Sequence, residues 1–458
     1  MNLPTLTPAF CAANGILITR FDGASIYFGM LNLNDTVLKI RIKKTYQDYQ
    51  CVFSEMENDV FNLKLSQLYS EEPLVSETLK NCPEAEKRES IIDRVADEAP
   101  VINLLNSIFL EAISKHASDI HIESGPGEAA IRYRIDGIMS FIKTINQERA
   151  LAVSARLKIL ANLNVLENRR PQDGHIDVRT DSYSLDVRIS IIPTIWGESI
   201  VLRLLNRSDS PLSIDSLGFS QSHLEQLKNI LLITSGLILV TCPTGSGKTT
   251  TLAAILKNLN INDSKIISIE DPVEYRIEGI TQIQVHEDLD LSFDAILRRI
   301  FRQDPDIIMI GEIRDIETAE LAIRAALTGH LVFATLHTNN AIEALYRLSN
   351  MGIPNYMLAA VLKMVIAQRL IRKGCQECGF YGCPHCSQKG YKGRTVIAEF
   401  IPVDTVLSDL ISVGIGIEKM RIHLLKTGFR NLSDDAEEKI ALNITNKSEV
   451  RRELGVQQ

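Results

Sequence analysis

The stretch TCPTGSGKTT, Thr241 to Thr250, limits what this chain can be more than any other. It matches the phosphate-loop pattern G-x-x-x-x-G-K-[ST] at every place but the first, where Cys242 stands for glycine. An apolar run, Gly236 to Thr241, leads in, and a helix-like run, KTTTLAAILKNL, leads out. A loop between a strand and a helix points backbone N–H groups at phosphate oxygens, and the helix N-terminus adds favourable potential. Lys248 then reaches the β and γ phosphates of a nucleotide, and the Thr249 hydroxyl meets Mg2+. Gly245 and Gly247 keep side chains away where phosphate approaches. Pro243, Thr244, Ser246 and Thr250 complete the loop and are assigned to nucleotide binding with them. The missing glycine is tolerable where Cys242 keeps a negative φ, since most ligating groups are backbone N–H. The thiol also offers redox control: the helix N-terminus lowers its pKa, and burial opposes this.

From about residue 212, short apolar strands (GLILVTC, KIISIED, DIIMIGE, HLVFATLH) alternate with helical segments, which predicts an α/β fold with a parallel sheet and crossover helices. ATP hydrolysis needs a Mg2+-directed carboxylate and a group that orients or deprotonates water. IISIEDPVEY holds Glu270, Asp271 and Glu274, and PDIIMIGEIRD holds Asp306, Glu312, Arg314 and Asp315. The second run predicts Glu312 beside the phosphate loop, at the end of a neighbouring parallel strand, where α/β sheets bind ligands. His330 and His337 stand at the two ends of another apolar run. One acidic residue at a strand end is ordinarily solvated or a helix cap, and one histidine is ordinarily structural. Two acidic strand ends behind a phosphate loop favour chemistry.

Upstream, VINLLNSIFLEAISKHASDIHIE has helical periodicity, and AAIRYRIDGIMSFIK alternates around an Asp136-Gly137 hairpin turn. LAVSARLKILANLNVLE is helical, and HIDVRTDSYSLDVRISIIP and ESIVLRLLN alternate again. Residues 96–207 therefore read as an α+β domain. EEPLVSETLKNCPEAEKRES (71–90) suits a linker, and residues 1–95 carry no motif. The net charge of -8 and the want of a basic, aromatic-studded stretch speak against a nucleic-acid partner. No basic start followed by an apolar run opens the chain, and its most apolar stretch, NILLITSGLILVTCP, is short of the ~20 residues of a bilayer span. A cytoplasmic protein is expected, with membrane contact made through partners.

Four of the eight cysteines (Cys375, Cys378, Cys383, Cys386) fall in CQECGFYGCPHC. Two C-x2-C pairs each grip one side of a metal and together complete a tetrahedral Zn2+ site. In a cytosolic chain this spacing reads as metal before disulfide. Free thiols or a redox pair are the alternatives, and His385 is a bystander.

CPTGSGKTTTL, SIEDPVEY, RQDPDIIMIGEIRDIETAELAIRAALTGHLVFATLHTNN and AQRLIRKGC together resemble the ATPases of type II secretion and type IV pilus systems. SDIHIE, RYRIDG, RPQDGHI and DVRIS resemble the domain before the motor in that family. The resemblance implies a RecA-like P-loop core at 208–458, which includes the four-cysteine zinc insertion 375–386 and a helical part at 400–458. It implies a smaller α+β, PAS-like lobe at 96–207, and a short divergent docking domain and linker at 1–95. It further implies a cytoplasmic homo-hexamer that hydrolyses ATP to drive pilin assembly or type II secretion through an inner-membrane platform protein, meeting pilin only indirectly. By motif, Glu274 acts on the water, Glu312 is the Walker B glutamate near Mg2+, and His330 and His337 form the His box. Arg188 (DVRIS) and Arg203 (VLRLL) approach phosphates, in cis or from a neighbouring subunit. The cysteine pairs after AQRL resemble assembly and secretion motors more than retraction motors, although the family usually has a longer insertion between them. Two rival readings share the core: a nucleic-acid-translocating motor, and a catalytically weak, nucleotide-sensing subunit suggested by Cys242.

Overall fold

A computed structural model describes residues 11–61 (without 12–14, 23, 34, 47–48 and 58–59), 64, 99–179, 184–206 and 213–455 (without 244, 260–262, 287–288 and 415). Thr244, Cys82 and the linker reading at 71–90 lie outside the described residues. The chain divides into two units, Met1–Asn206 and Arg207–Gln458.

The first unit holds two sheets. The smaller comprises β1 (Ile16–Phe21), β2 (Ser25–Met30) and β3 (Gln50–Glu55), with helix α1 (Thr36–Thr45) between the last two. β1 and β2 pair antiparallel, and β2 and β3 pair parallel across the α1 crossover. Ile16, Ile26, Phe28, Met30, Leu38 and Ile42 form its core. The larger part runs α2 (Ala99–Ser114), β4 (Ala117–Ser124), β5 (Glu128–Ile135), β6 (Ile138–Asn146), α3 (Gln147–Leu160), β7 (Gln172–Arg179), β8 (Ser184–Thr194) and β9 (Gly197–Asn206). Its strands form an antiparallel sheet in the order β6-β5-β4-β9-β8-β7. Asp136 and Gly137 both take positive φ, as a two-residue hairpin turn between β5 and β6 requires. The run from 101 to 123 is not one helix. It breaks at His116, whose φ of 52° cannot continue an α-helix, and Ala117–Ser124 then alternates as β4. Ile120, Ile122, Ile131, Tyr133, Val187, Ile189, Ile200 and Leu202 turn one face of the sheet to a core shared with α2 and α3.

In chain order the second unit contains α4 (Gln221–Ile230), β10 (Gly236–Thr241), α5 (Lys248–Asn258), β11 (Ile266–Glu270), β12 (Thr281–Gln284), α6 (Phe293–Ile300), β13 (Ile307–Ile310), α7 (Ile316–Leu327) and β14 (Leu331–Leu336). It continues with α8 (Ala341–Asn350), α9 (Asn355–Val361), β15 (Leu362–Gly374), β16 (Tyr391–Pro402), α10 (Thr405–Ser412), α11 (Ile417–Lys426), α12 (Leu432–Ala441) and α13 (Lys447–Leu454). The sheet order is β12-β11-β13-β14-β10-β15-β16, parallel throughout except for β16, which pairs antiparallel with β15. β10 is buried on both faces. Leu237 and Leu239 enter one core with α6, α7 and α8, and Ile238 and Val240 enter the other with α4 and α5. This double covering is why the strands read as continuous apolar runs rather than alternating ones. Among the described residues, no helix is long and apolar enough to cross a membrane.

Candidate active site

The phosphate loop leaves the C-terminal end of β10 and enters α5. Gly245 and Gly247 have φ of +78° and +87°, a region that other residues adopt at a cost. Gly247 is also the residue from which α5 starts. Cys242 is buried and is not among the described residues with positive φ, so no glycine is needed there. Its N–H donates to the Leu336 carbonyl at 3.3 Å, extending the pairing of β10 with β14, and its carbonyl accepts from Lys248 Nζ at 3.0 Å. The backbone thus does the work, and the side chain packs inward. The redox reading does not fit this geometry. Burial outweighs the nearby hydrogen bonds and the Lys248 charge, and pushes the thiol up to about 11.

Two contacts brace the loop from within and from a distant strand. Ser246 Oγ donates to the Pro243 carbonyl at 2.6 Å. Gln368, 1% exposed in the middle of β15, donates to the Ser246 carbonyl and accepts from Thr251 Oγ1, both at 2.9 Å. The sequence reading gave Gln368 no role. Its only signal was membership of the AQRL string, because its partners lie more than a hundred residues away. Thr250 Oγ1 lies 3.1 Å from the Tyr275 hydroxyl, which ties α5 to the loop after β11.

Glu312 follows β13, but β13 is not next to β10. β14 lies between them, which corrects the expectation of a directly neighbouring strand. The gap is filled from the end of β14 by His337. Its imidazole stands 3.1 Å from Lys248 Nζ and 3.3 Å from Glu312 Oε2, so lysine, histidine and glutamate form one chain. Burial first and the Lys248 charge second hold His337 below the usual histidine pKa, which leaves a neutral ring between cation and anion. Burial also lowers the pKa of Lys248. On its other side Glu312 pairs with Arg314, and Arg314 reaches Asp271 at 3.4 Å. His330 is not part of this group. It stands before the first residue of β14, at the opposite end of the sheet, with Nδ1 at 2.9 Å from the Ala325 carbonyl and 3.0 Å from Thr328 Oγ1. Seven residue steps, across the six residues of β14, carry the chain from it to His337, roughly 23 Å. Those contacts place it at the turn after α7.

Glu274 is exposed on the loop that follows β11. Gln282 on β12 shapes that loop, donating to the Tyr275 carbonyl at 2.9 Å and accepting the Ile277 N–H at 2.8 Å. The same amide donates to Glu270, which is buried and also receives Ser268 Oγ. Burial raises the Glu270 pKa. Asp306 accepts the Lys265 N–H, and Asp315 caps α7 through the Thr318 N–H, so both have local structural work. Arg188 and Arg203 lie in the first unit, on β8 and β9; Arg203 Nε donates to Asp119 at 3.1 Å.

The cysteines sit in the hairpin loop between β15 and β16. Sγ separations of 3.8 Å join Cys375 to Cys383, Cys378 to Cys386, and Cys383 to Cys386, and the four ligand atoms lie within 4.8 Å of one another. A tetrahedron with Zn–S bonds of ~2.3 Å has edges of about 3.8 Å, so the donor set fits Zn2+. Four intervening residues are enough to bring the pairs together. Burial opposes ionisation of Cys386, but N–H groups of Cys383 and Gly390 outweigh it and bring the thiol down to about 6. His385 points elsewhere, 3.0 Å from Lys392 Nζ.

Comparison with known proteins identifies relatives of the whole chain and of its fold. The family described as "Type II/IV secretion system protein" matches residues 94–452. Type II secretion system protein HxcR of Pseudomonas aeruginosa is 43% identical over 364 residues, 78% of each chain. Type II secretion system ATPase E of Vibrio cholerae is 37% identical, over 94% of this chain and 92% of its own. Type IV pilus assembly ATPase PilB of Myxococcus xanthus is 41% identical, over 78% and 68%. Among solved structures, the pilus retraction motor PilT with bound ADP superposes with a TM-score of 0.53 at 31% identity, covering 75% of this chain and 98% of its own. The Legionella pneumophila ATPase DotB shares the fold, with a TM-score of 0.61 at 20% identity, covering 76% and 94%.

Proposed function

This chain belongs to the type II/IV secretion system protein family and is an ATPase of that family, and from that premise we propose that it works as a cytoplasmic ring of six copies. The ring drives pilin assembly or type II secretion by acting on a platform protein of the inner membrane. The observation that carries the reading is the chain of Lys248, His337 and Glu312 beside a phosphate loop whose two glycines take positive φ. The rival readings, a nucleic-acid motor and a catalytically weak sensing subunit, are not favoured.

ATP binds with its phosphates over the N-terminus of α5, where Gly245, Ser246, Gly247, Lys248, Thr249 and Thr250 supply N–H groups; Pro243, which has no N–H, and Thr244 precede them in the nucleotide-binding sequence. Lys248 exchanges the Cys242 carbonyl for the β and γ phosphates. The Thr249 hydroxyl and the Glu312 carboxylate are hard oxygen donors suited to Mg2+. When bound, that ion offsets the charge that grows on the phosphoryl oxygens. His337, as a neutral ring, holds Glu312 and Lys248 at a fixed spacing. Glu274 orients the attacking water, and Arg188 and Arg203 meet phosphate charge. Cys375, Cys378, Cys383 and Cys386 hold a structural Zn2+ that closes the β15–β16 hairpin.

Steady-state phosphate release by the purified chain tests the reading, with light scattering for the number of copies. Wild type should turn over ATP, Lys248→Ala and Glu312→Gln should each lose at least about a hundredfold in kcat, and the particle should approach six copies. Wild-type ATP binding without turnover would move the sensing-subunit reading ahead.

A further inference from the structure

Strand register places a row of charged residues straight across the larger sheet of the first unit. Asp119 on β4 is directly opposite Arg134 on β5 and Arg203 on β9. Arg203 is in turn opposite Arg188 on β8, and Arg188 is opposite His175 on β7. Residues paired in this way point to the same side of a sheet. That side is the one turned away from the helices, since Ile120, Tyr133, Val187 and Leu202, their strand neighbours, enter the core. Three arginines therefore stand in a line with one carboxylate among them. Arg203 also faces Arg188 directly across the β8–β9 pair, which sets two guanidinium-bearing residues side by side.

Asp119 is the organising member. It is 5% exposed, and Ser118 Oγ donates to its Oδ2 at 2.8 Å. Arg203 meets it through Nε at 3.1 Å, and Arg134 approaches it through Nε at 3.5 Å. The contact is side-on in both cases. Arg134 is held at its far end as well, where Nη1 donates to the Gly137 carbonyl at 3.2 Å. A guanidinium held by Nε keeps Nη N–H groups for phosphate oxygens, although in Arg134 one of the two, Nη1, already donates to the Gly137 carbonyl.

We propose that Asp119 is a positioning residue that holds Arg203 and Arg134 side by side as one phosphate-binding pair, so that Arg134 is a further nucleotide-contacting residue of the ATPase reaction. This rests on the reading that Arg203 meets nucleotide phosphate. Asp119 itself touches no phosphate; it would repel one, and its buried place behind the two guanidiniums keeps it out of reach.

The test is steady-state ATPase kinetics of the full-length chain carrying Arg203→Gln, Arg134→Gln, Asp119→Asn, Asp119→Glu, and the double variant Asp119→Asn with Arg203→Gln. Arginines that act on charge developing in the transition state lower kcat and spare KM, so Arg203→Gln should lose about tenfold or more in kcat with KM for ATP within about twofold. Arg134→Gln and Asp119→Asn should each lose at least about threefold in the same manner, and Asp119→Glu should recover more than about half of the loss. The double variant should be no slower than Arg203→Gln alone, because Asp119 acts through that arginine. If Arg203→Gln leaves kcat unchanged, the phosphate role of Arg203 fails and this inference fails with it. If Arg203→Gln is slow but Arg134→Gln is not, or the double variant is additive, the inference alone is overturned. Should Asp119→Asn fail to fold, Arg134→Gln decides, since that side chain is partly exposed and its loss leaves the Asp119–Arg203 pair in place.

Discussion

Gln368 tests whether the phosphate loop is held in shape from outside itself. Gln368→Leu keeps most of the volume but strips the Ser246 carbonyl and the Thr251 hydroxyl of their partner. Those residues are only 5% and 2% exposed, so water replaces the lost bonds poorly. A buried polar group left unpaired costs about 1–3 kcal/mol, which makes about 2–6 kcal/mol for the two. Taking about 3 kcal/mol, a unit of this size should melt about 6–12 °C lower. Gln368→Glu separates the two bonds: it still accepts from Thr251 but sets a carboxylate against the Ser246 carbonyl. A loss of about 1–3 kcal/mol confined to the loop must then be restored by the nucleotide, raising its Kd by about 5- to 150-fold. Thermal unfolding and titration with a fluorescent ATP analogue read the two effects, with Lys248→Ala as the reference for lost phosphate contacts. A Gln368→Glu chain that melts within about 1 °C of wild type and binds ATP within about twofold would refute the reasoning, because the loop would then hold its shape unaided.

Three further outcomes are expected. Cys242→Gly should keep kcat within about twofold, since the carbonyl that receives Lys248 remains, while lost packing and added chain entropy lower stability by about 1–3 kcal/mol in denaturant titration; wild-type turnover should also withstand mild peroxide. Cys378→Ser should reduce the zinc content, measured by elemental analysis, from about one per chain to near none and loosen residues 375–390 in hydrogen exchange. Glu449 is buried in α13, and hydrogen bonds from Arg452 and Arg372 overcome its burial and hold its carboxyl at about 2. Its folded pKa lies below the ordinary value, so the stabilisation is full above about pH 4.5 and is lost as pH falls towards 2, about 3 kcal/mol in all. Unfolding curves of wild type and Glu449→Gln should therefore converge between pH 4.5 and 2, and curves that stay parallel would count against the ion pair.

Much of the site was legible because it is local. Lys248, Thr249, Gly245 and Gly247 are neighbours in sequence, and the requirement for a strand before them and a helix after them is met by β10 and α5. The Asp136-Gly137 turn and the two C-x2-C pairs are equally local. Reading stopped where partners are far apart. Periodicity carried the helix at 99–114 on through 123, because nothing in composition marks His116 as a breaker; its positive φ is visible only in the structure. The two histidines of TGHLVFATLH looked alike in sequence, yet a six-residue strand sends them to opposite ends of a sheet.

The sequence by itself determined the kind of site: a phosphate loop, acidic strand ends, a thiolate cluster, and strands apolar enough to be covered on both faces. These follow from short-range rules, since a turn, a helix start or a metal grip is made by residues a few positions apart. Only the tertiary structure decided which groups meet. The insertion of β14 between β10 and β13 puts His337 between Lys248 and Glu312, and Gln368 reaches a loop 122 residues away. Strand register alone lines up Arg134, Asp119, Arg203 and Arg188. Strand order and register are set by burying whole faces of a sheet at once, and a shift of one residue would turn every side chain to the other face.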